Sequence, residues 1–532
     1  MKEISLGKIL IQKLECQNVE FIFGIPGVHT VELYRALSES KIRHITARHE
    51  QGAGFMADGY ARISGKPGIC LVITGPGVTN ILTAMAQARS DSIPMLVISG
   101  VNKLAGTHNQ KAPLHGLPNQ AKLVKRVAIA TYTIKKIEEA QSIINKAFAK
   151  MISGKPGPVH IQIPIDVMTE RMPKIEGFQF KKKKPLAPKL SEVLTISNAI
   201  NKSKKPCIIV GGGARSAKRN IRKFVEALQA PTISTVNARD LLGQHYLHIP
   251  ASPSLESVRS LLKQADLVIA LGTEMGQTDY DMYEDGFFPN LKNLVRVDID
   301  KDELKQSPAK TKNVKSDISE FCHQILKHIK PRQSNFNQNI ASICKNSAQL
   351  EIPQHYEACK ILISTIVKIL PEAIIVGDST QPTYYGNLFC EITNNNRWFN
   401  SATGFGTLGY ATPAAIGAQL ASPKKPVICI IGDGGIQFSL GELGTATDEN
   451  VPVMFMVWNN AEYKEIRTFM ESQSITPIGI SPKPPDFKFI AKSYGIKFKN
   501  IKKSSSLAKV LLEFRENPRP LLIEITENTF NN

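Results

Sequence analysis

The stretch VICIIGDGG, residues 427–435, gives the strongest local indication of the fold. An apolar, strand-like run leads directly into Gly432, Asp433, Gly434 and Gly435, and a helical pattern follows. Apolar strands that end in Gly-rich turns and continue into helices are typical of parallel sheets covered on both faces. Ligands bind such sheets at the carboxyl ends of the strands. The stretch therefore predicts a doubly wound α/β unit with a site at this turn.

The residue types at the turn favour a phosphate and a divalent cation. Gly434 and Gly435 would let the backbone approach a phosphate closely, and the free N–H groups of a helix start attract an anion. Asp433 would repel that anion unless a cation lay between them, and Mg²⁺ commonly combines one or two protein oxygens with phosphate oxygens. The next strand-like run, VPVMFMVWNN, ends in Asn460, which parallel pairing would bring to the same edge. The alternative interpretation is a tight turn with Asp433 as a helix cap.

The same alternation of apolar runs and helical patterns divides the 532-residue chain into three blocks. We predict an α/β protein with three doubly wound, parallel-sheet (Rossmann-like) domains at 1–172, 190–330 and 350–532. The intervening linkers are expected at 171–190, which is rich in Pro and Lys, and at roughly 330–350, which is rich in Gln, Asn and Ser. The predicted strands are FIFGIP from Phe21, ICLVITGPG from Ile69, MLVISG from Met95, VHIQIP from Val159, CIIVGGG from Cys207, DLVIALG from Asp266, LVRVDID from Leu294, AIIVGD from Ala373, VICIIGDGG from Val427, VPVMFMVWNN from Val451 and LLIEIT from Leu521.

Composition excludes several classes of protein. Apolar residues make up 42% and charged residues 21% of the chain, which is typical of a globular protein. The net charge of +20 comes from scattered lysines, without a basic helix that interleaves aromatics, so we expect a solvated surface and no nucleic-acid partner. No apolar run reaches a membrane-spanning length, and the first residues do not form a signal peptide. The eight cysteines include no C-x-x-C pair, which favours buried thiols such as Cys207 and Cys429 in the cytoplasm.

The segment from GDGG to NN resembles the cofactor motif of the acetolactate synthase and pyruvate decarboxylase superfamily, whose members use thiamine diphosphate. The resemblance implies that Asp433, the Asn460 side chain and the Glu462 carbonyl ligate Mg²⁺. It places Gly434 and Gly435 at the cofactor, together with Thr380 and Gln381, which follow the strand AIIVGD. A capped loop is the alternative interpretation for Thr380 and Gln381. The resemblance covers nearly the whole chain, including GIPGVHTVELY, TGPGVTN with Asn80 as a cofactor-binding residue, and GPVHIQIPIDV.

The segment RHEQGAGFMADGYARISGKPG resembles the opposite half of the cofactor site. Thiamine is activated when its own 4'-amino group removes the C2 proton, after a carboxyl group interacts with the pyrimidine N1'. Such a carboxyl must share a proton near neutral pH, and burial favours this. Glu50, at the start of a Gly/Ala-rich helix, is our candidate, although a lone Glu is more often a solvated or capping residue. In GFGTLGYATPAAIGAQ, the resemblance assigns the bulky side chain that bends the cofactor to Leu408, and a pyrimidine-binding backbone to Gly406 and Leu408. Core packing is the alternative role of Leu408.

The resemblance also implies the assembly and the reaction. In relatives, the first domain of one subunit pairs with the third domain of another, so we expect a homodimer or homotetramer with the active site at the subunit interface. The activated C2 carbanion would attack a small-molecule 2-oxo acid, and the cofactor ring would serve as the electron sink for an enamine after CO₂ leaves. The resulting enamine is protonated, coupled to a second carbonyl compound or oxidised.

Departures from acetolactate synthase favour simple decarboxylation. Its Phe-Gln-Glu loop is replaced by KAPLHGLPNQ, with His115 near the glutamine's place, and GTEMGQTDYDMYEDG from Gly272 counts against bound FAD. GIPGVHTVELYR and GTEMGQTDYD look more like the branch that contains 5-guanidino-2-oxopentanoate decarboxylase. His29 and His115 are candidates for proton transfer, because histidine titrates near neutrality, although a loop His is more often structural.

Three other functions remain open. Acetolactate synthase, which joins two 2-oxo acids, is the nearest alternative to a decarboxylase. A catalytically silent homologue is disfavoured by the intact Glu50, Asp433 and Asn460. A nicotinamide-dependent oxidoreductase is disfavoured because the glycines at Gly211–Gly213 lack the full G-x-G-x-x-G spacing, so a bare strand-to-helix turn fits them better.

Overall fold

Three parallel sheets of six strands each dominate the structure, a computed structural model that describes residues 3–104, 113–173, 184–280, 289–308, 310–332, 335–393 and 397–530. The sheets follow one another along the chain, and each is flanked by the helices that connect its strands. We call them, with their helices, the first, second and third units. The predicted α/β class with three doubly wound parallel sheets is confirmed.

The first unit has the strand order β3-β2-β4-β5-β7-β6, and a small antiparallel pair, β1 with β8, lies outside the sheet. Its strands are β1 (Glu3–Ser5), β2 (Phe21–Gly24), β3 (Arg43–Thr46), β4 (Gly68–Val72), β5 (Met95–Val101), β6 (Ala130–Thr133), β7 (Pro158–Pro164) and β8 (Arg171–Pro173). Its helices are α1 (Leu6–Cys16), α2 (Val31–Leu37), α3 (Glu50–Ser64), α4 (Pro76–Ser90), α5 (Gln120–Val124), α6 (Ala140–Ile152) and α7 (Ile165–Thr169).

The second unit has the order β11-β10-β9-β12-β13-β14, which is the arrangement of a dinucleotide-binding sheet. Its strands are β9 (Pro206–Val210), β10 (Thr232–Ser234), β11 (His248–Ile249), β12 (Leu267–Leu271), β13 (Leu294–Asp298) and β14 (Lys312–Lys315). Its helices are α8 (Leu190–Lys202), α9 (Lys218–Leu228), α10 (Glu256–Gln264), α11 (Gln277–Tyr280), α12 (Lys301–Lys305) and α13 (Ile318–Ile325), followed by α14 (Asn335–Leu350).

The third unit has the order β16-β15-β17-β18-β20-β19, so its strands are arranged as in the first unit. Its strands are β15 (Ile374–Gly377), β16 (Arg397–Asn400), β17 (Val427–Gly432), β18 (Val453–Trp458), β19 (Lys497–Ile501) and β20 (Leu521–Ile525). Its helices are α15 (Glu357–Ile369), α16 (Gln381–Leu388), α17 (Ala411–Ala421), α18 (Asp433–Ile436), α19 (Glu442–Asp448), α20 (Lys464–Ser472), α21 (Phe487–Ser493) and α22 (Ser504–Glu516).

The central strands form from continuous apolar runs because both faces of each sheet are covered. In β17, every residue from Val427 to Ile431 is buried, and the whole of β18 is buried as well. All eleven strands predicted from sequence are present. The strands absent from the prediction are mostly short or partly exposed, among them β3, β6, β14 and β19, and their signal in the sequence is correspondingly weak.

Helices α3 and α17 join the first unit to the third by close backbone approach. Gly59 on α3 lies directly against the Ala414 carbonyl, and Gly417 on α17 lies against the Met56 carbonyl, with no space for a Cβ atom at either position. Both helices are almost completely buried. This contact fixes where Glu50, the first residue of α3, sits relative to the third unit.

Two further expectations are decided by the described residues. Helix α14 occupies most of the region expected as a linker at 330–350, and it packs against α10 and β11 of the second unit. All eight cysteines are free thiols, and Cys207 and Cys429 are buried as predicted. In the described ranges, no helix is both long and apolar enough to cross a membrane.

Candidate active site

Asp433 and Asn460 lie at the same edge of the third sheet. Strands β17 and β18 pair in parallel, and their register ends with Gly432 opposite Trp458. Asp433 therefore follows one strand directly, and Asn460 follows the adjacent strand two residues after its end. The carboxyl ends of neighbouring parallel strands meet at one edge, which is the usual ligand site of such a sheet.

Three oxygen atoms converge at this edge. The oxygen at the tip of the Asn460 amide is 2.7 Å from the Glu462 carbonyl oxygen and 3.3 Å from Asp433 Oδ1. In this orientation Asn460 Nδ2 donates to Gln381 Oε1 at 3.3 Å, and Asn460 Oδ1 accepts from the Glu462 N–H at 3.3 Å. A rotated amide would instead donate its NH₂ to Glu462 O and Asp433 Oδ1. Oxygens this close need either that rotation or a shared cation.

Asp433 has a buried oxygen that amide rotation does not satisfy. Its Oδ2 lies out of solvent without a hydrogen-bond partner among the described residues. Burial raises the pKa of Asp433 to about 6, against the lowering effect of nearby backbone N–H groups. A buried carboxylate without a partner is costly, and cation binding is one way to relieve the cost. The donor set of carboxylate, amide and carbonyl oxygens is the kind that Mg²⁺ takes.

Thr380 and Gln381 reach the same edge from β15. Gln381 Oε1 accepts from Trp458 Nε1 at 3.2 Å and from Asn460 Nδ2 at 3.3 Å. Thr380 Oγ1 lies 3.1 Å from where a Cβ atom on Gly432 would stand. The ends of β15, β17 and β18 thus bring together the residues that the sequence proposed for the diphosphate end.

The glycines of the turn have contacts of their own. A Cβ atom on Gly434 would be 2.5 Å from Cε1 of Tyr463, and one on Gly435 would be 3.0 Å from Asp378 Oδ1. The helix that begins at Asp433 is a single turn, α18, and the longer helix α19 starts only at Glu442. Gly434 therefore leaves space for an aromatic ring as well as for close backbone approach.

Glu50 belongs to a second cluster at the start of α3. It is buried, and its Oε2 accepts a hydrogen bond from Asn80 Nδ2 on α4 at 2.9 Å. Its Oε1 lies 3.2 Å from where a Cβ atom on Gly77 would stand. The chain before α3 lacks a Ser, Thr, Asp or Asn cap, and His49 Nδ1 accepts from the Gln51 N–H at 3.1 Å instead.

Glu442, which the sequence interpretation missed, completes the start of α3. Its Oε1 accepts from the backbone N–H groups of Arg48 and His49, each at 3.1 Å, and its Oε2 accepts from Thr445 Oγ1 at 2.8 Å. A side chain on Gly52 would collide with this carboxylate. Burial raises the pKa of Glu442, and these hydrogen bonds oppose the shift. The weak capping sequence before α3 was the available signal that an acceptor had to come from elsewhere.

The segment 403–411 leads into α17 and contains Gly406 and Leu408. Gly406 and Gly409 have φ values of +73° and +74°, which only glycine adopts readily. Leu408 is half-buried, and Gly406 is exposed. Asp378 fixes the end of the segment, because its Oδ2 accepts from the Ala411 N–H at 2.9 Å.

His29 and His115 lie together near the turn that precedes α4. Their ring centroids are 5.5 Å apart in an edge-to-face arrangement. His29 Nε2 and Asn102 Oδ1 are 2.9 Å apart, and His29 Nδ1 is buried without a hydrogen-bond partner in the described part of the chain. The His115 carbonyl oxygen is 2.5 Å from a Cβ position on Gly75, two residues before Gly77 beside Glu50. Residues 111 and 112 of the His115 loop, and 281–286 of the segment from Gly272, lie outside the described residues.

Comparison with known protein families matches all three units. The N-terminal TPP binding domain of thiamine pyrophosphate enzymes matches residues 4–123, the central domain of these enzymes matches 193–325, and their C-terminal TPP binding domain matches 378–525. The chain belongs to the thiamine pyrophosphate enzyme family. Thiamine pyrophosphate and thiamine diphosphate are the same compound, so the cofactor class predicted from sequence is confirmed.

Curated relatives of this thiamine pyrophosphate enzyme span nearly its whole length. A probable 2-ketoarginine decarboxylase of Pseudomonas aeruginosa is 35% identical over 93% of this chain and 89% of its own length. The large subunit of acetolactate synthase isozyme 1 of Escherichia coli is 31% identical over 98% of this chain and 94% of its own. An acetolactate synthase large subunit of Lactococcus lactis is 32% identical over 99% of this chain and 94% of its own length. The predicted resemblance to both the decarboxylase branch and the synthases is confirmed.

In this thiamine pyrophosphate enzyme the two clusters remain separate. Glu50 bonds to Asn80, whereas Asp433 and Asn460 belong to the edge formed by β15, β17 and β18. Within the ranges that the structure describes, no hydrogen bond joins the Glu50 cluster to the Asp433 cluster.

Proposed function

We propose that the protein catalyses the decarboxylation of a 2-oxo acid with thiamine diphosphate and Mg²⁺. The observation that carries this proposal is the convergence of the Asp433, Asn460 and Glu462 oxygens beside an unpartnered buried carboxylate oxygen. The family match and the decarboxylase and synthase activities of the relatives support the same chemistry. When bound, thiamine diphosphate supplies the nucleophilic carbon and the electron sink that loss of CO₂ requires.

Asp433, Asn460 and Glu462 would ligate Mg²⁺, and Thr380 and Gln381 would lie at the diphosphate. The oxygens of these residues suit a hard cation, and their position at the carboxyl ends of three parallel strands suits a charged ligand. The cation would neutralise the Asp433 carboxylate and satisfy its Oδ2. Backbone N–H groups of Gly434 and Gly435 are within the same turn and are proposed as diphosphate contacts.

Glu50 is proposed as the carboxyl group that shares a proton with the pyrimidine N1' atom. Two features support this role, namely its burial and its fixed orientation between Asn80 and the α3 start. Asn80 holds the Glu50 carboxylate by its hydrogen bond, and we propose that it also contacts the cofactor. Gly406 and Leu408 would present a backbone and a bulky side chain to the pyrimidine ring, and water would be excluded by the half-buried Leu408.

His29 and His115 are proposed to contact the substrate or transfer a proton to the product. His29 Nδ1 is buried and has no hydrogen-bond partner among the described residues, so a bound substrate could supply one. Its neighbour His115 lies against Gly75, in the same turn as Gly77, which borders Glu50.

A homo-oligomer with the active site between subunits is proposed from the separation of the two clusters. Bulky apolar side chains are exposed close in sequence to proposed site residues: Phe405 is 50% accessible three residues before Leu408, Phe438 is 56% accessible five residues after Asp433, and Val28 is 65% accessible next to His29. Such groups are typical of surfaces that a second subunit covers. The domain limits at 1–172, 190–330 and 350–532, and a cytoplasmic location, remain predictions.

Two candidate reactions differ in the 2-oxo acid they use and in the product they release. One is decarboxylation of a guanidinium-bearing 2-oxo acid, favoured by the Pseudomonas relative, and the other is acetolactate synthesis, favoured by the bacterial synthases. Purified enzyme with thiamine diphosphate and Mg²⁺ should be incubated with pyruvate and with 5-guanidino-2-oxopentanoate, and the products identified by mass spectrometry. Aldehyde release from the guanidino acid is expected. Acetolactate from pyruvate without any aldehyde would reverse the order of the two candidates.

A further inference from the structure

Gln87 on α4 is a fully buried amide whose hydrogen-bonding positions are all occupied. Its Nε2 donates to Asp91 Oδ2 at 2.8 Å and to Thr403 Oγ1 at 3.2 Å. Its Oε1 accepts from the Thr407 backbone N–H at 3.3 Å and from Thr407 Oγ1 at 3.0 Å. Since an amide offers two donors and two acceptor sites, neither a carboxylate nor an apolar side chain reproduces this set.

Asp91 anchors Gln87 at the junction of all three units. Its Oδ2 accepts from Arg62 Nη2 at 2.5 Å and from Thr403 Oγ1 at 3.0 Å, and its Oδ1 accepts from Asn237 Nδ2 at 3.1 Å. The Arg62 and Asp91 side chains are only 5% and 2% exposed. Every partner of the Asp91 carboxylate comes from a different element, so the position of Gln87 is determined by the packing of the units together.

The far end of the same segment is held from inside the third unit. Asp378 accepts from the Gly409 N–H at 3.2 Å and from the Ala411 N–H at 2.9 Å. Gln87 and Asp378 therefore grip the segment on either side of Leu408. Between the hydrogen bonds of Gln87 and those of Asp378, the backbone passes through Gly406, which has a positive φ. Because glycine has no Cβ atom, this position could adopt many other conformations without such restraints.

We propose that Gln87 is a positioning residue for the cofactor, acting from the first unit on a segment of the third. By holding Thr403 and Thr407, it sets the path that presents Gly406 and Leu408 to the pyrimidine end of thiamine diphosphate. This inference rests on the proposed function, which places that end of the cofactor against Gly406 and Leu408. The diphosphate end, at Asp433, has no bond to Gln87 and should be indifferent to it.

The two ends of the cofactor can be tested separately. Full-length enzyme freed of cofactor would be titrated in a calorimeter with Mg²⁺–thiamine diphosphate and, separately, with Mg²⁺–pyrophosphate, which occupies only the diphosphate end. Gln87→Met leaves the Thr407 N–H and hydroxyl without their acceptor, and Thr407→Val removes one of the two donors to Gln87 Oε1. Both variants should weaken thiamine diphosphate binding about tenfold and should leave pyrophosphate binding unchanged. Thr407→Ser keeps the hydroxyl and should retain most of the affinity.

Gln419→Met is the matched control for a merely structural effect. Gln419 is also a buried glutamine, at the far end of α17, where its Nε2 donates to the carbonyls of Ser422 and Lys425, each at 3.1 Å. Its replacement should lower stability and change neither affinity.

The outcomes separate the inference from the proposed function. Equal weakening of both ligands by Gln87→Met and Thr407→Val, or no weakening of either, overturns the positioning role while the function stands. Should Gln87→Met fail to fold, the Thr407→Val and Thr407→Ser pair decides the question alone. Wild-type enzyme that binds pyrophosphate but not thiamine diphosphate would instead remove the proposed function, and the inference with it.

Discussion

Glu442 Oε1 accepts a hydrogen bond from the backbone N–H of His49 at 3.1 Å, directly before Glu50 begins helix α3. The two residues belong to different units, and 393 positions separate them in the chain. A carboxylate from the third unit thus satisfies backbone donors at the entrance to a first-unit helix. The first residue of that helix is the proposed proton-sharing group.

Replacement of Glu442 should distinguish its hydrogen bonds from its charge. Glu442→Ala removes the acceptor of the N–H groups of Arg48 and His49 together with a buried side chain, and it should lower the free energy of unfolding by about 3 kcal/mol. Glu442→Gln should cost much less, because its amide oxygen can still accept from both groups and its NH₂ can donate to Thr445. Urea unfolding of the three proteins measures the difference. Equal losses for both variants would show that the negative charge matters more than the acceptor geometry.

Glu50→Gln should abolish turnover without disturbing the fold. The amide oxygen can still accept from Asn80 Nδ2, so the start of α3 is retained, but the amide cannot share a proton with the cofactor. We expect kcat to fall by about 100-fold or more, with thermal stability and pyrophosphate binding close to wild type. Glu20→Gln, which changes a carboxylate with a 56% exposed side chain, is the control and should keep full activity. Full activity of Glu50→Gln would contradict the assigned role.

Asp433→Asn should weaken Mg²⁺ binding. It removes the one charged oxygen of the proposed Mg²⁺ site, so the Mg²⁺ concentration for half-maximal activity should rise at least about 100-fold. Titration of chelator-treated enzyme with MgCl₂ at saturating thiamine diphosphate gives this value. Asp302→Asn, at an 82% exposed side chain in the second unit, serves as the control. An unchanged Mg²⁺ requirement for Asp433→Asn would place the metal elsewhere.

Asp378 should give the protein a distinct pH dependence of stability. Burial raises the pKa of Asp378 to about 6 from 3.8, against the lowering effect of the N–H groups of Ala411, Gly409 and Ser379. The folded protein therefore binds this proton more tightly than the unfolded chain does. The stabilisation is complete below pH 3.8 and is lost as the pH rises to about 6, by on the order of 3 kcal/mol.

Asp378→Asn removes this titration and isolates it. The unfolding free energy of the wild type minus that of the variant should fall as the pH rises from 4 to 6.5, because only the wild type has the Asp378 carboxyl group that loses a proton in that window. Denaturant unfolding at four or five pH values in the absence of cofactor measures it. A difference that stays constant, or that grows with pH, would contradict a raised pKa at this position.

The central strands and the chemistry of their ends could be predicted because both are local properties. An apolar run such as VICII is long enough to indicate a buried strand, and GDGG directly after it places Asp433 at the sheet edge. The short strands were missed because their pairing depends on the neighbouring strand more than on their own residues; β10 and the edge strand β11, for example, have only three and two residues. The region of helix α14 was expected as a linker because it is rich in Gln, Asn and Ser.

By itself, the sequence determined the family, the three α/β units and the residues proposed to face the cofactor, because strand runs, turns and motifs are written in consecutive residues. Only the tertiary structure decided which distant side chains hold those residues. Glu442 accepts a hydrogen bond from His49, 393 positions away, and Gln87 accepts one from Thr407, 320 positions away. No local pattern encodes such a pair, since each hydrogen bond exists only when α3 and α17 have packed the first unit against the third.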